Sequence, residues 1–111
     1  MCLFKRRPKV VEHNSEDAQL VEFFAKRIDV LLEYAETEPV KEGLKELRFL
    51  LEHLAVSPKD RVQKIDRQIS NSIDDLKIHL AKKRDEASLL SEIRDIRVLV
   101  KERETAYFKE Q

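Results

Sequence analysis

The sequence predicts an all-α protein, an antiparallel helical bundle of four helices, and three observations favour this fold class. Charged residues make up 40% of the chain and hydrophobic residues 41%, a mixture typical of helical bundles and coiled coils. Residues 59–111 contain neither Gly nor Pro, which disfavour helix interiors by about 1 and 3 kcal/mol respectively. The single Gly and the absence of Trp argue against an all-β fold, which needs turn residues at its corners.

The N-terminal region divides into an arm and a helix. Residues 1–13 show no helical period and contain Pro8, so we interpret them as a basic flexible arm before a single helical-bundle domain of residues 14–111. Asn14 offers an N-cap for the first helix, with Asp17 placed to complete a capping box. Apolar residues then recur at steps of three and four, as expected of an amphipathic helix: Val21, Phe24, Ile28, Leu31 and Ala35.

The second helix begins close to where the first ends, at Thr37, Glu38 and Pro39, because Pro suits the first helical turn. Its apolar stripe comprises Val40, Leu44, Leu47, Leu51 and Leu54. Gly43 lies near the start of this helix, where a close crossing with another helix would explain it.

A start signal for the third helix follows, with Ser57 as the predicted N-cap, Pro58 at the first position and Asp60 at the third. The connections before the second and third helices are both short, which predicts that consecutive helices are antiparallel neighbours.

Two apolar stripes follow, and they are out of phase with each other. The first comprises Val62, Ile65, Ile69, Ile73, Leu76 and Leu80, and the second comprises Leu89, Ile93, Ile96, Val100 and Tyr107. The nine steps from Leu80 to Leu89 rotate a helix by about 900°, which is half a turn out of phase. The stripes would therefore face opposite sides of a continuous helix.

A break between Ala81 and Ser88 removes this conflict. The cations of residues 82–84 would complement a helix C-terminus, and Asp85 would suit the next N-terminus, for which it is a candidate cap. The alternative is a two-helix hairpin plus one long C-terminal helix that dimerises, because no Gly, Pro or Asn marks a turn here.

The charges balance overall, 22 basic against 22 acidic, but they are unevenly distributed. Residues 1–13 carry a net charge of +3, residues 14–57 carry −5 and residues 58–111 carry +2. Because the cations form no clustered basic face, we predict no nucleic-acid partner. The single Cys2 excludes a disulfide framework within the chain, and we expect a cytoplasmic location.

Motifs for catalysis, metals and cofactors are missing from the sequence, so we predict a protein that is not an enzyme, without cofactor or small-molecule substrate. Asp75 and His79 have the i, i+4 spacing of metal ligands, but a metal site needs three or four ligands. Cys2 has no His positioned by sequence to activate it. One Gly is too few for a glycine-rich phosphate loop.

The sequence instead favours a protein-interaction or scaffold module that self-associates as a homodimer through an amphipathic helical surface. The predicted interaction residues are those of the stripe least accounted for by the first three helices: Leu89, Ile93, Ile96 and Val100. The same stripe would otherwise be the fourth side of the core. Of the aromatic residues Tyr34, Phe49, Tyr107 and Phe108, Phe49 and Phe108 lie beside the second and fourth stripes, at the edge of the core or at an interface. If several of the four are exposed together, they mark an association surface.

A peripheral membrane adaptor is the alternative function. An apolar tip precedes a polybasic run that favours an anionic leaflet, and the contact residues would be Cys2, Leu3, Phe4, Lys5, Arg6 and Arg7. Cys2 is a candidate for lipid modification, although position 2 is not the Gly that N-myristoylation needs.

Overall fold

A computed structural model of the chain describes residues 20–109, and within them it contains four helices and no strand. Helix α1 covers residues 20–34, α2 Glu38–Glu52, α3 Asp60–Ala81 and α4 Glu86–Lys109. The predicted four-helix bundle is confirmed, and the alternative of one long C-terminal helix is wrong. The predicted basic arm, the Asn14 cap and the Asp17 capping box lie outside the described residues.

The helices form two antiparallel hairpins, α1–α2 and α3–α4, that pack side by side. Helix α2 lies beside α4, where Arg97 pairs with Glu46 at 3.4 Å. Helix α1 lies beside α3, where Arg27 Nη1 donates to Ser70 Oγ at 2.8 Å. Along α2 and α4, the residue numbers of the contacting residues increase in the same direction, so these two helices run parallel.

Helix α2 does not pack against α3, so residues 53–59 cross the end of the bundle diagonally. The short connection predicted that α2 and α3 would be neighbours, and that expectation is wrong. Seven residues are enough to span one diagonal, because they extend to about 24 Å at 3.3–3.6 Å per residue.

All four predicted stripes meet in one core. Its fully buried side chains include one aromatic residue, Phe24 of α1, together with Leu and Ile residues from all four helices. Gly43 of α2 lies at the crossing with α4: a Cβ built there would be 3.4 Å from Ile93 Cδ1 and Cγ2. The helix crossing predicted for Gly43 is therefore present, but 3.4 Å is an ordinary van der Waals distance, so the crossing itself does not require Gly.

The turn between α3 and α4 falls within the predicted break. Helix α3 ends with Lys83 in the left-handed region, at φ 57°. The Lys83 amide donates to the Leu80 carbonyl at 3.0 Å, and the Arg84 amide to the His79 carbonyl at 3.1 Å. These two bonds define a Schellman motif, in which Gly is the usual left-handed residue. The sequence carries no Gly signal here because Lys83 adopts that conformation itself.

Asp85 caps α4, as predicted. Its carboxylate accepts from the Ser88 amide at 3.1 Å and from the Ser88 hydroxyl at 2.9 Å. These two hydrogen bonds from Ser88 hold the pKa of the Asp85 carboxyl below its usual value. A left-handed residue and a carboxylate cap together reverse the chain without Gly or Pro.

Replacing Lys83 with Gly is expected to stabilise the fold by about 1 kcal/mol, because a left-handed residue with a Cβ costs roughly that much. The substitution also removes the ion pair of Lys83 with Glu36, which is exposed, spans 3.5 Å and contributes little. Chemical denaturation measures the change. Lys82→Gly is the matched control, because φ at Lys82 is −84° and Gly there should destabilise. Equal effects at both positions would contradict the strain assigned to Lys83.

The predicted Ser57 cap of α3 is wrong. The helix begins at Asp60, with Lys59 in the N-cap position. Ser57 is buried instead, and its hydroxyl accepts from the Lys59 amide at 3.2 Å. The Ser57 carbonyl also accepts from the Gln63 side chain at 3.2 Å. Ser57 thus shapes the diagonal connection rather than the first turn of α3.

Candidate functional site

The predicted interaction stripe of α4 lies inside the bundle. All four side chains are buried: Leu89, Ile93, Ile96 and Val100. They form the fourth side of the core, the role that the sequence offered as their alternative. Leu89, Ile93 and Ile96 are thus covered within the chain, whereas Val100 also lines an apolar groove.

An apolar groove lies between α2 and α4 at the end of the bundle where both helices finish. Its volume is about 250 Å³. We call it the α2–α4 groove, and it is lined by Phe49, Leu50, His53, Leu54, Ala55, Val100, Arg103, Glu104, Tyr107 and Phe108. Phe49 is 60% exposed and Phe108 63% exposed, which makes them the two most exposed large hydrophobic residues in the described part of the chain.

Local contacts hold the aromatic rings of the groove in place. On α2, His53 Nδ1 donates to the Phe49 carbonyl at 2.7 Å, and the two rings lie 4.5 Å apart. On α4, the rings of Tyr107 and Phe108 meet edge to face at 5.2 Å. Each wall of the groove therefore presents one exposed Phe that is supported by a second ring.

Arg103, one of the residues that line the groove, belongs to a buried ion pair. Arg103 of α4 and Asp66 of α3 are each 2% exposed, and Arg103 Nε donates to Asp66 Oδ1 at 2.5 Å. Arg103 Nη2 also donates to the Ala55 carbonyl at 2.7 Å. One guanidinium thus ties α4, α3 and the diagonal connection together.

A second tie holds the C-terminal turns of α4 against the diagonal connection. Lys59 Nζ donates to the Tyr107 carbonyl at 2.5 Å and lies 5.6 Å from the centre of the Tyr107 ring. The ammonium complements the C-terminal end of the helix and the face of the ring together. The tie keeps Phe108, the next residue, beside the groove.

Charges of both signs lie along the groove. Glu46 and Arg97 pair at 3.4 Å in a neighbouring hollow that shares Phe49 and Leu50 with the groove. Lys45 lies on the α2 side, and Glu104 on the α4 side near Phe108. The surface around the apolar patch is therefore mixed rather than acidic or basic.

Asp75 and His79, which have the i, i+4 spacing of metal ligands, both lie on α3. His79 Nδ1 contacts both carboxylate oxygens of Glu92 of α4 at 2.8 Å. Residues 20–109 contain no group of three or more His, Cys, Asp or Glu side chains that would hold a metal ion. The His79–Glu92 contact joins the two helices of the second hairpin.

The residues of the predicted membrane contact, Cys2 to Arg7, lie outside the described residues. Among the helices that the structure describes, none has the length and apolar character needed to cross a bilayer.

The sequence identified Phe49 and Phe108 as residues beside the stripes, but it did not predict that they lie close to each other. That step needs α2 next to α4, which the connection lengths did not predict. Arg103 was missed as a core residue, although it lies three residues after Val100 and seven after Ile96, in phase with the buried stripe. A charged residue at a core position was the available signal for the ion pair.

No protein-family model matches the chain, and comparisons with curated proteins and with solved structures find no significant match.

Proposed function

We propose that this chain is a non-enzymatic protein-interaction module that self-associates through the α2–α4 groove. The observation that carries the proposal is the exposure of Phe49 and Phe108 on the two walls of one apolar groove. Exposed aromatic residues around a concave apolar surface are typical of association sites, and aromatic anchors contribute much of the binding energy at interfaces.

The charges around the groove favour a second copy of the chain as the partner. A two-fold interface brings the same patch of both subunits together, so the patch must complement itself. A surface with one sign of charge would repel its copy, whereas this groove is flanked by Lys45 and Glu46 on α2 and by Glu104 and Lys109 on α4. A cation of one copy can therefore lie opposite a carboxylate of the other copy across the two-fold axis.

The proposal keeps the predicted function but moves the contact to a different surface. The interaction surface of the sequence analysis was the α4 stripe, which is buried in the core. The groove shares Val100 with that stripe and otherwise uses the neighbouring face of α4 together with α2. It also uses a region that the Arg103 and Lys59 contacts hold in shape, so little ordering would be needed on binding.

Phe49→Glu is expected to weaken self-association at least tenfold, because truncating or charging an aromatic anchor costs about 2 kcal/mol or more. Sedimentation equilibrium of the full chain measures the dissociation constant. Ile78→Glu is the matched control, since Ile78 is also half exposed but lies on α3. Circular dichroism checks that both variants keep the helical fold. Equal losses in the two variants, or a wild-type chain that stays monomeric at high concentration, would contradict the proposal.

A further inference from the structure

The N-terminal segment begins at the same end of the bundle as the α2–α4 groove. Arg48 Nε of α2 donates to Asp29 Oδ1 of α1 at 2.6 Å, which aligns these two antiparallel helices. From that level α1 runs back about 14 Å to residue 20, and α2 runs forward about 6 Å to its end at Glu52, at 1.5 Å per residue. Residues 1–19 therefore join the bundle at the end where the groove lies.

The segment is long enough to reach the groove within its own chain. In an extended conformation, in place of the helical start predicted at Asn14, residues 12–19 span about 27 Å, at 3.3–3.6 Å per residue. Neighbouring helix axes are about 8–10 Å apart, and α2 separates α1 from the groove. Residues 3–11 can therefore lie along the groove without any change in the bundle.

The chemistry of the segment matches the groove and its surroundings. Two apolar pairs, Leu3–Phe4 and Val10–Val11, flank the cations and Pro8 of residues 5–9. The groove offers apolar walls, and the carboxylates of Glu46 and Glu104 lie beside them among cations such as Lys45. Residues 20–57, which form the α1–α2 hairpin and its connection, contain eight acids and five bases, a net charge of −3, against +3 for residues 1–13. Opposite charges thus favour the approach of the segment to the hairpin from which it extends.

We infer that residues 3–11 of the chain bind in its own α2–α4 groove and compete there with a second copy. The competition rests on the proposed function. The contact within the chain does not, since the groove and the segment are present in every single chain. A segment tethered this closely has an effective concentration in the millimolar range, so even a weak contact is well populated. Self-association then requires a partner concentration high enough to displace the segment.

A spin label on Cys2 tests the contact directly, because Cys2 is the single cysteine of the chain. In the full-length protein the nitroxide should broaden amide resonances of residues 49–54 and 104–109. Arg61, Lys64 and Gln68 lie at the same end of the bundle but on the exposed face of α3, and their resonances should broaden much less. Equal broadening of both groups would overturn the inference, because it would show that the segment has no preference for the groove.

Two further samples separate contact within the chain from contact between copies. A spin-labelled chain that also carries Phe49→Glu should lose the preference for the groove. An isotope-labelled Cys2→Ser chain mixed with the spin-labelled, isotopically unlabelled chain should show little broadening at residues 49–54. Broadening there as strong as within a single chain would overturn the inference in favour of exchange of the segment between copies.

The competition is tested with the double variant Leu3→Asp/Phe4→Asp. Its self-association should be severalfold tighter than that of the wild-type chain, because the segment no longer covers the groove. An unchanged dissociation constant would overturn the competition. A chain that never self-associates but shows groove-specific broadening would contradict the proposed function and leave the intrachain contact standing, so the two failures are distinguishable.

Discussion

Substituting Asp for Ile93 is expected to unfold the bundle at neutral pH. Ile93 is 2% exposed and faces the α2 crossing at Gly43, so the new carboxylate has no route to water. Burying an unpaired charge costs several kcal/mol beyond the loss of apolar packing, which is comparable with the 5–15 kcal/mol stability of a whole domain. Circular dichroism should show the loss of helix, and a thermal melt should show no cooperative transition.

The control is Val98→Asp, which places the same charge on an exposed position of the same helix. Val98 is half exposed, so this variant should remain within about 0.5 kcal/mol of the wild type. A folded, monomeric Ile93→Asp protein would contradict the structure, because it would mean that the α4 stripe is the interface that the sequence first predicted.

Replacing Arg103 with Met is expected to destabilise the fold by about 3–5 kcal/mol, the usual consequence of removing one member of a buried ion pair. Asp66 would lose the guanidinium that contacts it at 2.5 Å, and the Ala55 carbonyl would lose a donor at 2.7 Å. Chemical denaturation measures the loss. The groove that Arg103 lines should also lose its shape, so that self-association weakens in the same variant.

Two comparisons separate the charge effect from the packing effect. The double variant Asp66→Leu/Arg103→Met should recover most of the stability, because apolar residues of similar volume often replace a buried pair without loss. Arg97→Met removes a cation from an exposed pair with Glu46 and should cost no more than about 1 kcal/mol. A double variant as unstable as Arg103→Met would show that the ion pair itself is needed.

The helices and the reversal after α3 were predictable because they depend on local pattern. The half-turn phase difference between Leu80 and Leu89 forced a break, and the charges around Asp85 located it. The Schellman residue was not predictable, since Lys83 gives no sequence signal for a left-handed conformation. The Ser57 cap failed for a related reason: its hydroxyl serves the diagonal connection, so α3 starts after Lys59.

The arrangement of the helices was harder to predict than their existence. A stripe predicts which face of α4 is buried, but it does not say whether the burial is against the same chain or a partner. That question depends on which helix lies next to α4, and the choice of α2 follows from the crossing at Gly43 and the Arg103 contact with Ala55. The groove therefore could not be predicted without knowing that α2 lies beside α4.

The most direct test of the proposed surface is a dilution series of the isotope-labelled wild-type chain, followed by amide chemical shifts. The proposal predicts that resonances of residues 46–54 and 101–109 shift with concentration, while those around Ile78 on α3 stay constant. Shifts confined to the exposed face of α1 at Phe23, Val30 and Tyr34, or spectra that do not change with concentration, would contradict self-association through the α2–α4 groove.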